Sequence, residues 1–286
     1  MRILVTGCNG QVGYELQRLS EQSEHDWLCL NRAGLDISDQ VSVTKVVVDF
    51  KPDVVINAAA YTAVDKAESE VDLAYAVNAK GPEYLAKACG CVDAALIHIS
   101  TDYVFAGDQA QPYAETDTMG PTGVYGQSKL EGERAVIEHC AKHIILRTAW
   151  VFGEHGNNFV KTMLRLGAER DELGIVADQF GAPTSARAIA ETCLNIAEQL
   201  DSNPQWGIYH YSGAPYVSWF EFAQVIFEES VAGGRLAKAP KLNALTTEQF
   251  PTPAKRPANS RLNCEKIDMA FGIKPDQWRD RLRDMI

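Results

Sequence analysis

The sequence predicts an α/β fold, a Rossmann-type doubly wound parallel sheet followed by a smaller C-terminal α/β domain. Two observations support this prediction. Short, almost entirely apolar segments alternate with longer amphipathic segments through the first half of the 286 residues, which is typical of parallel strands covered by helices on both faces. A glycine-rich turn also follows the first apolar segment directly, as in the first βα unit of such sheets.

The elements can be placed in chain order from these patterns. Strands are predicted at residues 2–6, 27–30, 54–57, 95–100 and 144–147, and helices at 10–20, 40–50, 66–90 and 124–140. Further along, strands at 174–177 and 207–211 alternate with helices at 185–200 and 218–229. A basic, proline-rich loop at 250–261 then precedes a helix at 263–271. We therefore predict a nucleotide-binding domain at 1–150, to which some later segments return, and a mainly substrate-binding domain at 151–286.

Composition excludes several classes of protein. The net charge is −11 and the pI is near 5.1, which argues against a nucleic-acid partner because such proteins usually carry a basic face. No apolar run approaches the roughly 20 residues that span a bilayer, and the N-terminus enters a strand without a signal peptide's apolar stretch. The seven cysteines are odd in number and scattered, as expected of reduced thiols. We therefore expect a cytoplasmic protein.

Three glycines follow the first predicted strand with GxxGxxG spacing. Gly7 permits a tight turn, Gly10 lets backbone N–H groups approach a pyrophosphate, and Gly13 allows close packing of the following helix. The N-terminus of that helix, which includes Gln11 and Val12, directs its partial positive charge at the phosphates. This pattern predicts a dinucleotide site.

The end of the second predicted strand bears on the choice between NAD and NADP. An acidic residue there would hold the ribose 2′-hydroxyl. This chain has Asn31 and Arg32 instead, and the first carboxylate after that strand is Asp36. Because Arg32 can pair with a 2′-phosphate, the sequence favours NADPH, with NADH as the alternative.

A Tyr-x-x-x-Lys pair suggests carbonyl chemistry. Tyr125 and Lys129 are four residues apart on a predicted helix and therefore share one face. A nearby ammonium lowers the pKa of a phenol, which makes its proton easier to donate to an alkoxide that forms on hydride transfer. Thr101 ends the predicted strand at 95–100, at the sheet edge where ligands bind, and its hydroxyl can contact both Tyr125 and a substrate carbonyl.

Together these residues resemble the extended short-chain dehydrogenase/reductase superfamily. More specific motifs are NAAAYTAVDKAE (57–68), VN (77–78), STDYVF (100–105), RTAWVFG (147–153), GNNF (156–159), DQFGAPT (178–184) and RPANSRL (256–262). With these motifs the sequence is similar, within that superfamily, to the dTDP-4-dehydrorhamnose reductase family.

The resemblance implies reduction of the 4-keto group of dTDP-4-dehydro-L-rhamnose to dTDP-L-rhamnose, the last step of dTDP-rhamnose biosynthesis, which serves cell-surface polysaccharides such as lipopolysaccharide. It implies that Tyr125 donates the proton, that Lys129 orients the nicotinamide ribose, and that Thr101 assists. The remaining implied contacts are Gly10, Gln11 and Val12 at the pyrophosphate, Asp36 and Ile37 at the adenine, Ala59, Ala60, Tyr61 and Thr62 beside the cofactor, and Asp102 and Trp150 at the sugar.

Two further expectations concern charged residues. Arg256, in the basic loop with Asn259, is a candidate for binding the substrate's diphosphate, because a guanidinium can bind phosphate bidentately. Some members of the family dimerise through a divalent metal held by glutamates, to which Glu15 and Glu191 could correspond. The C-terminus carries no matching glutamate. A homodimer and a Mg²⁺ ion are therefore weaker expectations than the nucleotide-sugar substrate.

Two alternatives remain open from sequence. One is another nucleotide-sugar epimerase, dehydratase or reductase that retains its NAD. The other is a non-catalytic subunit, since the regulatory subunit of methionine adenosyltransferase resembles the same family. The presence of Tyr125, Lys129 and Thr101 together favours an enzyme, because a scaffold has no need of them.

Overall fold

The computed structural model describes residues 1–202 and 204–286. Its strands, in chain order, are β1 (Arg2–Thr6), β2 (Asp26–Leu30), β3 (Val54–Asn57), β4 (Ala95–Thr101), β5 (His143–Thr148), β6 (Val151–Phe152), β7 (Glu172–Val176), β8 (Phe180–Gly181), β9 (Thr184–Ser185), β10 (Gly207–His210), β11 (Val217–Ser218) and β12 (Lys241–Leu245).

The α-helices, in the same order, are α1 (Gln11–Ser20), α2 (Gln40–Phe50), α3 (Val64–Ala67), α4 (Val71–Tyr75), α5 (Gly81–Val92), α6 (Val124–His139), α7 (Phe159–Glu169), α8 (Ala186–Gln199), α9 (Trp219–Ala232), α10 (Glu265–Phe271) and α11 (Trp278–Met285). A π-helical segment, Ala76–Lys80, joins α4 to α5, and short 3₁₀ turns lie at Asp102–Val104 and Thr247–Gln249.

The main sheet confirms the predicted fold class. Its strand order is β2-β1-β3-β4-β5-β10, and all neighbouring strands are parallel. The chain leaves β1 for β2 on one side and returns to β3 on the other, so the topological switch point lies between β1 and β3. Ligands of open α/β sheets bind at the carboxyl ends of the strands at this point.

Helices cover both faces of this sheet because its strands are apolar on both sides. On one face, Val5 and Ile56 pack with Leu16 of α1 and Ile189 of α8. On the other face, Leu4 and other sheet residues pack with α2 and α5. Since β10 and α8 follow residue 150 yet belong to this layer, later segments contribute to the nucleotide-binding half. The predicted division at residue 150 stays a prediction.

A second hydrophobic cluster lies in the C-terminal half. Phe222 and Ile226 of α9 pack with residues of α7, β7 and α11. Sequence reasoning missed α7 and α11, although Asn158 directly precedes α7 and caps it by accepting a hydrogen bond from Lys161 N. An Asn directly before an amphipathic segment is a pattern that predicts the start of a helix.

The predicted helix at 66–90 is divided in the structure. Helix α3 ends at Ala67, and the next helical stretch begins at Val71 and passes through the π-helical segment before α5. Pro82, at the start of α5, has no N–H to bond the carbonyl of Asn78. The helix widens there, and the Asn78 carbonyl lies so close to Gly132 of α6 that a Cβ on Gly132 would be 2.1 Å from it.

Within residues 1–202 and 204–286, no helix is long and apolar enough to cross a membrane. All seven cysteines are free thiols.

Candidate active site

The glycine turn is shaped by close backbone contacts. Gly7 has φ +77°, and a Cβ on it would lie 2.6 Å from the backbone of Ala59, at the end of β3. A Cβ on Gly13 would lie 2.2 Å from the Gly7 carbonyl oxygen. Neither position accommodates a side chain, so the turn that follows β1 fits against the end of β3 at the switch point.

Helix α1 begins at this turn with its N-terminal amides open. Gly10 is its N-cap, and no side chain caps the helix. The N–H groups of the first helical turn, those of Gln11, Val12 and Gly13, have no intrahelical acceptor. A group of backbone donors at a helix N-terminus is suited to an anion such as a pyrophosphate.

A cleft of about 220 Å³ runs from this turn along the carboxyl ends of β1, β2 and β3. The predicted cofactor residues that line it are Gly7, Gly10, Arg32, Asp36, Ile37, Ala59, Ala60 and Tyr61. Leu35, Ala58 and Val77 supply further apolar surface. Thr62 is exposed beyond the cleft. The chain thus brings eight of its predicted cofactor residues into one groove.

Arg32 and Asp36 form the rim of the cleft. The Arg32 Nε atom donates to Asp36 Oδ2 at 3.2 Å, and the Arg32 side chain is 72% exposed. Hydrogen bonds from Ser38 hold the pKa of the Asp36 carboxyl below its usual value. Asn31 accepts hydrogen bonds from the backbone of Ala33 and Gly34, so its side chain forms the turn after β2.

Asn78 fixes one wall of the cleft. Its Oδ1 accepts from Tyr61 N at 2.8 Å, and its Nδ2 donates to Tyr61 O at 3.0 Å and to Ser128 Oγ at 3.1 Å. Ser128 lies between Tyr125 and Lys129 on α6. One buried amide therefore ties the cofactor wall to the helix that carries the predicted catalytic pair.

The predicted catalytic residues come together at the carboxyl end of β4. Thr101 is the last residue of β4 and is buried, and Tyr125 and Lys129 lie in the first turns of α6. The Thr101 hydroxyl lies close enough to the Tyr125 phenol to affect its pKa. Burial raises the pKa of Tyr125 above its usual value, and the contact with Thr101 opposes that rise. In this environment Tyr125 is a protonated phenol, as a proton donor requires.

Lys129 is almost completely buried, which is unusual for a lysine. Its Nζ donates to the Ile99 carbonyl at 2.7 Å and lies 3.4 Å from His98 Nε2. Burial lowers the pKa of Lys129 to about 8, and the nearby Glu133 carboxylate opposes this shift. Lys129 therefore changes charge within one to two units of neutrality.

A buried ion pair holds α6 against the sheet. Glu133 and Arg147 of β5 have side-chain exposures of 1% and 0%, with Arg147 Nη2 2.7 Å from Glu133 Oε2. Ser100, next to Thr101, donates to Glu133. Arg147 also lies over the Phe105 ring at 5.0 Å. The position of the Tyr125 helix relative to Thr101 depends on these contacts.

Asp102 has one carboxylate oxygen in use and one available. Its Oδ1 accepts from Thr101 Oγ1 at 2.9 Å. Its buried Oδ2 has no hydrogen-bond partner among the described residues. Burial raises the pKa of Asp102 to about 6, and the proximity of Ser260 and Thr101 opposes that rise. A free carboxylate oxygen beside Tyr125 can accept a hydrogen bond from a ligand hydroxyl.

Trp150 adopts a left-handed backbone conformation, φ +49°, which is costly for a bulky residue. Its indole stacks on Trp219 with ring centroids 3.5 Å apart. A Cβ on Gly181 would lie 2.5 Å from the Trp150 ring. One indole face is thus already occupied, and the sequence did not predict the partner Trp219.

The basic loop reaches the site through Arg256, whose guanidinium is engaged within the chain. Its Nη2 lies 2.6 Å from Asp65 Oδ2, and its Nη1 donates to Tyr103 Oη at 3.0 Å. The Tyr103 ring packs edge-on against Tyr125, with centroids 5.4 Å apart. Asn259 uses its amide to hold backbone carbonyls of Gln109 and Gln111. Diphosphate binding by Arg256 and substrate binding by Asn259 stay predictions.

The two candidate metal ligands are paired with arginines. Glu15 lies 3.4 Å from Arg18, and Glu191 lies 2.9 Å from Arg187 and 2.7 Å from Arg281. Within the part of the chain that the structure describes, no group of three or more His, Cys, Asp or Glu side chains is arranged to hold a metal ion. Guanidinium groups lie beside both carboxylates, so the residues present do not fit a divalent cation.

Several site residues were missed because their roles arise from contacts distant in sequence. Tyr103 and Asn78 stand within motifs that the sequence displays, but nothing in those motifs shows what their side chains contact. Of the missed residues, His98 could have been found from the sequence, because it is a single histidine in a largely apolar strand, three residues before Thr101.

Comparison with known proteins agrees with this geometry. The sequence matches the RmlD substrate binding domain family over residues 1–286. It is 50% identical to the dTDP-4-dehydrorhamnose reductase of Aggregatibacter actinomycetemcomitans, over 99% of this chain and 98% of that protein.

Two solved structures are also similar. The dTDP-4-dehydrorhamnose reductase ortholog of Clostridium acetobutylicum has a TM-score of 0.93 and 41% identity, over 100% of this chain and 98% of that one. The Bacillus anthracis enzyme, solved in complex with NADP, has a TM-score of 0.92 and 38% identity, over 99% of this chain and 98% of that one. These matches span the nucleotide cleft and the Tyr125 site alike, and the chain belongs to the dTDP-4-dehydrorhamnose reductase family.

Proposed function

We propose that Tyr125, Thr101 and Lys129 catalyse the reaction of this family in this chain. The protein is an NAD(P)H-dependent oxidoreductase that reduces the 4-keto group of dTDP-4-dehydro-L-rhamnose to dTDP-L-rhamnose. The observation that carries the assignment of residues is the convergence of a buried phenol, a threonine hydroxyl and a buried lysine at the carboxyl end of β4. When bound, the reduced nicotinamide supplies hydride to the carbonyl carbon.

The chain supplies the proton and the geometry. Thr101 and Tyr125 hold the ketone oxygen between their hydroxyls, and Tyr125 donates its proton to that oxygen as negative charge develops there. Lys129 binds the ribose hydroxyls of the nicotinamide nucleotide and, as an ammonium, lowers the pKa of Tyr125. The unpartnered Oδ2 of Asp102 accepts a sugar hydroxyl, and the edge of Trp150 lines the sugar pocket.

Two features of the cleft support a dinucleotide as its ligand. Its turn leaves no room for a Cβ at Gly7, and backbone donors at the start of α1 face the groove. We propose that NADPH is preferred over NADH. The exposed Arg32 side chain can leave Asp36 and pair with a 2′-phosphate, and surface pairs of this kind cost little to break.

Arg32→Ala is expected to raise the KM for NADPH about tenfold or more, since it removes a charge-assisted contact with the 2′-phosphate. The KM for NADH should change little. Steady-state kinetics with each cofactor in turn measure both values. Arg134→Ala, which removes an exposed arginine paired with Glu131 on α6, is the control. An equal rise for both cofactors would contradict the proposed role of Arg32.

Activity is expected to fall as the pH rises through about 8. Lys129 is cationic below its pKa of about 8 and neutral above it, so the assistance to Tyr125 is present at the lower pH and lost at the higher. A profile of kcat/KM for the reduced cofactor from pH 6 to 10 measures this, because it reports groups of the free enzyme. Lys80→Met, at an exposed lysine, should keep the alkaline decline, and a flat profile to pH 10 would refute the assignment.

The overall reaction is tested by supplying dTDP-4-dehydrorhamnose enzymatically and following the absorbance of NADPH and NADH separately. Oxidation of the cofactor with formation of dTDP-rhamnose is expected. Protein that purifies with bound NAD⁺ and consumes no reduced cofactor would instead indicate an epimerase or dehydratase on this scaffold.

We also propose a cytoplasmic location, since the seven cysteines are free thiols and such thiols persist in a reducing compartment. A homodimer remains a proposal. If it forms, we expect it to need no Mg²⁺, because Arg18, Arg187 and Arg281 already neutralise the carboxylates of Glu15 and Glu191.

A further inference from the structure

A buried histidine, His98, contacts the proposed catalytic lysine, Lys129. His98 and Lys129 are nearly or completely inaccessible to solvent, and His98 Nε2 lies 3.4 Å from Lys129 Nζ. The other ring nitrogen, Nδ1, lies 2.9 Å from Nδ2 of Asn57, at the end of β3. His98 therefore connects the end of β3 to the amine that the reaction uses.

The hydrogen bonds of Asn57 determine which nitrogen of His98 carries the proton. Asn57 Oδ1 accepts from the backbone N–H of Ala59 at 3.2 Å and from Thr6 Oγ1 at 2.7 Å. A backbone N–H can only donate, so the amide oxygen must face Ala59 and the amide nitrogen must face His98. His98 Nδ1 then accepts, and the ring proton resides on Nε2, which faces Lys129.

This arrangement has a consequence for Lys129. The Nε2–H group of His98 faces Nζ of Lys129. It disfavours the ammonium form of Lys129 and favours the neutral amine, whose lone pair can accept a hydrogen bond from His98. The Ile99 carbonyl, 2.7 Å from Nζ on the same strand, favours a donor. The amine is thus held between an acceptor and a donor that together fix its position and its orientation.

We propose that His98 is a positioning residue for Lys129, locked by Asn57 in the Nε2–H tautomer so that it limits the ammonium form of Lys129. The proposal rests on the proposed role of Lys129 in the reaction. It assigns to the pair Asn57–His98 the task of keeping a buried lysine able to change charge near neutral pH.

Other titratable groups near Lys129 also affect whether it is protonated. Glu133, one turn further along α6, favours the ammonium but is itself shared with Arg147 of β5. Tyr125, one turn before, is protonated, and the Asp102 carboxylate acts on Tyr125. Burial and Lys129 together keep the pKa of His98 well below its usual value, so His98 remains neutral.

The first test is nuclear magnetic resonance of the ¹⁵N-labelled full chain without cofactor. Two-bond ¹⁵N–¹H spectra distinguish the two tautomers and the imidazolium, and His98→Gln identifies the His98 signals among the six histidines. We expect a neutral Nε2–H ring from pH 6 to 9, with a shift of its ¹⁵N signals near pH 8 that disappears in Lys129→Met. A proton on Nδ1, an imidazolium at pH 6, or the absence of the shift would overturn the proposal.

The second test is kinetic. The amide of His98→Gln can turn its oxygen toward Nζ, which replaces a donor by an acceptor and favours the ammonium. The alkaline pKa of kcat/KM should therefore rise by about one unit, a tenfold change in proton affinity. His210→Gln, at a buried histidine of β10 bonded to the Tyr113 carbonyl, should leave that pKa unchanged.

The outcomes separate the two proposals. A folded His98→Gln enzyme with an unchanged alkaline pKa contradicts the role of His98. Wild-type turnover by Lys129→Met would contradict the proposed role of Lys129, while the tautomer measured in the wild-type chain would still decide the contact. The histidine whose shift near pH 8 disappears in Lys129→Met is also identified as His98 by that loss, so the tautomer can still be determined if His98→Gln fails to fold.

Discussion

Tyr125→Phe is expected to lower kcat by about 10²- to 10⁴-fold, the range that a positioned general acid contributes. The phenyl ring keeps the edge-on packing against Tyr103, so only the hydroxyl is lost. Because the hydroxyl acts mainly as the ketone oxygen gains charge, KM should change much less than kcat. Steady-state kinetics at pH 7, with thermal unfolding of each variant, measure the effect.

The matched control is Tyr75→Phe. Tyr75 lies on α4, and its hydroxyl is 3.5 Å from Gln127 on the same helix as Tyr125, outside the proposed site. We expect this variant to retain the wild-type rate. If Tyr125→Phe stays within about tenfold of wild type, another group donates the proton and the assignment fails.

Glu133→Gln is expected to lower the free energy of unfolding by about 3–5 kcal/mol, because it leaves the Arg147 charge buried without its counter-ion. Arg147 also keeps one buried nitrogen, Nη1, without a partner among the residues described, so it has few contacts to compensate. Urea unfolding followed by circular dichroism measures the change.

Two further variants serve as controls for Glu133→Gln. Glu131→Gln removes an exposed carboxylate of the same helix, paired with Arg134, and should cost less than about 1 kcal/mol. The double variant Glu133→Gln with Arg147→Met removes both charges and should recover much of the loss. A cost below 1 kcal/mol for Glu133→Gln alone would show that the pair contributes little.

The nucleotide half was predictable because its signals are local. The glycines of the turn stand three residues apart at positions 7, 10 and 13, and Tyr125 and Lys129 stand four residues apart, about one helical turn. Apolar strand segments placed the sheet, since its strands are buried on both faces. These features depend on neighbours in sequence, so a single chain displays them.

The rest depends on contacts between distant segments. Arg256 was predicted to bind a diphosphate because a guanidinium can bind phosphate bidentately, but its contact with Asp65, 191 residues earlier, could not be predicted from sequence. The pairing of Trp150 with Trp219 and of Lys129 with His98 likewise leaves no pattern of spacing. The close approach of the Asn78 carbonyl to Gly132, within the predicted helix at 66–90, likewise arises only from packing against another helix.

The stacked indoles of Trp150 and Trp219 have an optical consequence. Trp150 follows the last strand before the second half of the chain, and Trp219 begins α9 within that half. Two indole transitions at a centroid separation of 3.5 Å couple strongly, so the pair absorbs and emits as one chromophore. Any movement of α9 relative to β5 changes that coupling, so the near-ultraviolet spectrum of the unlabelled protein reports the position of α9 against the main sheet.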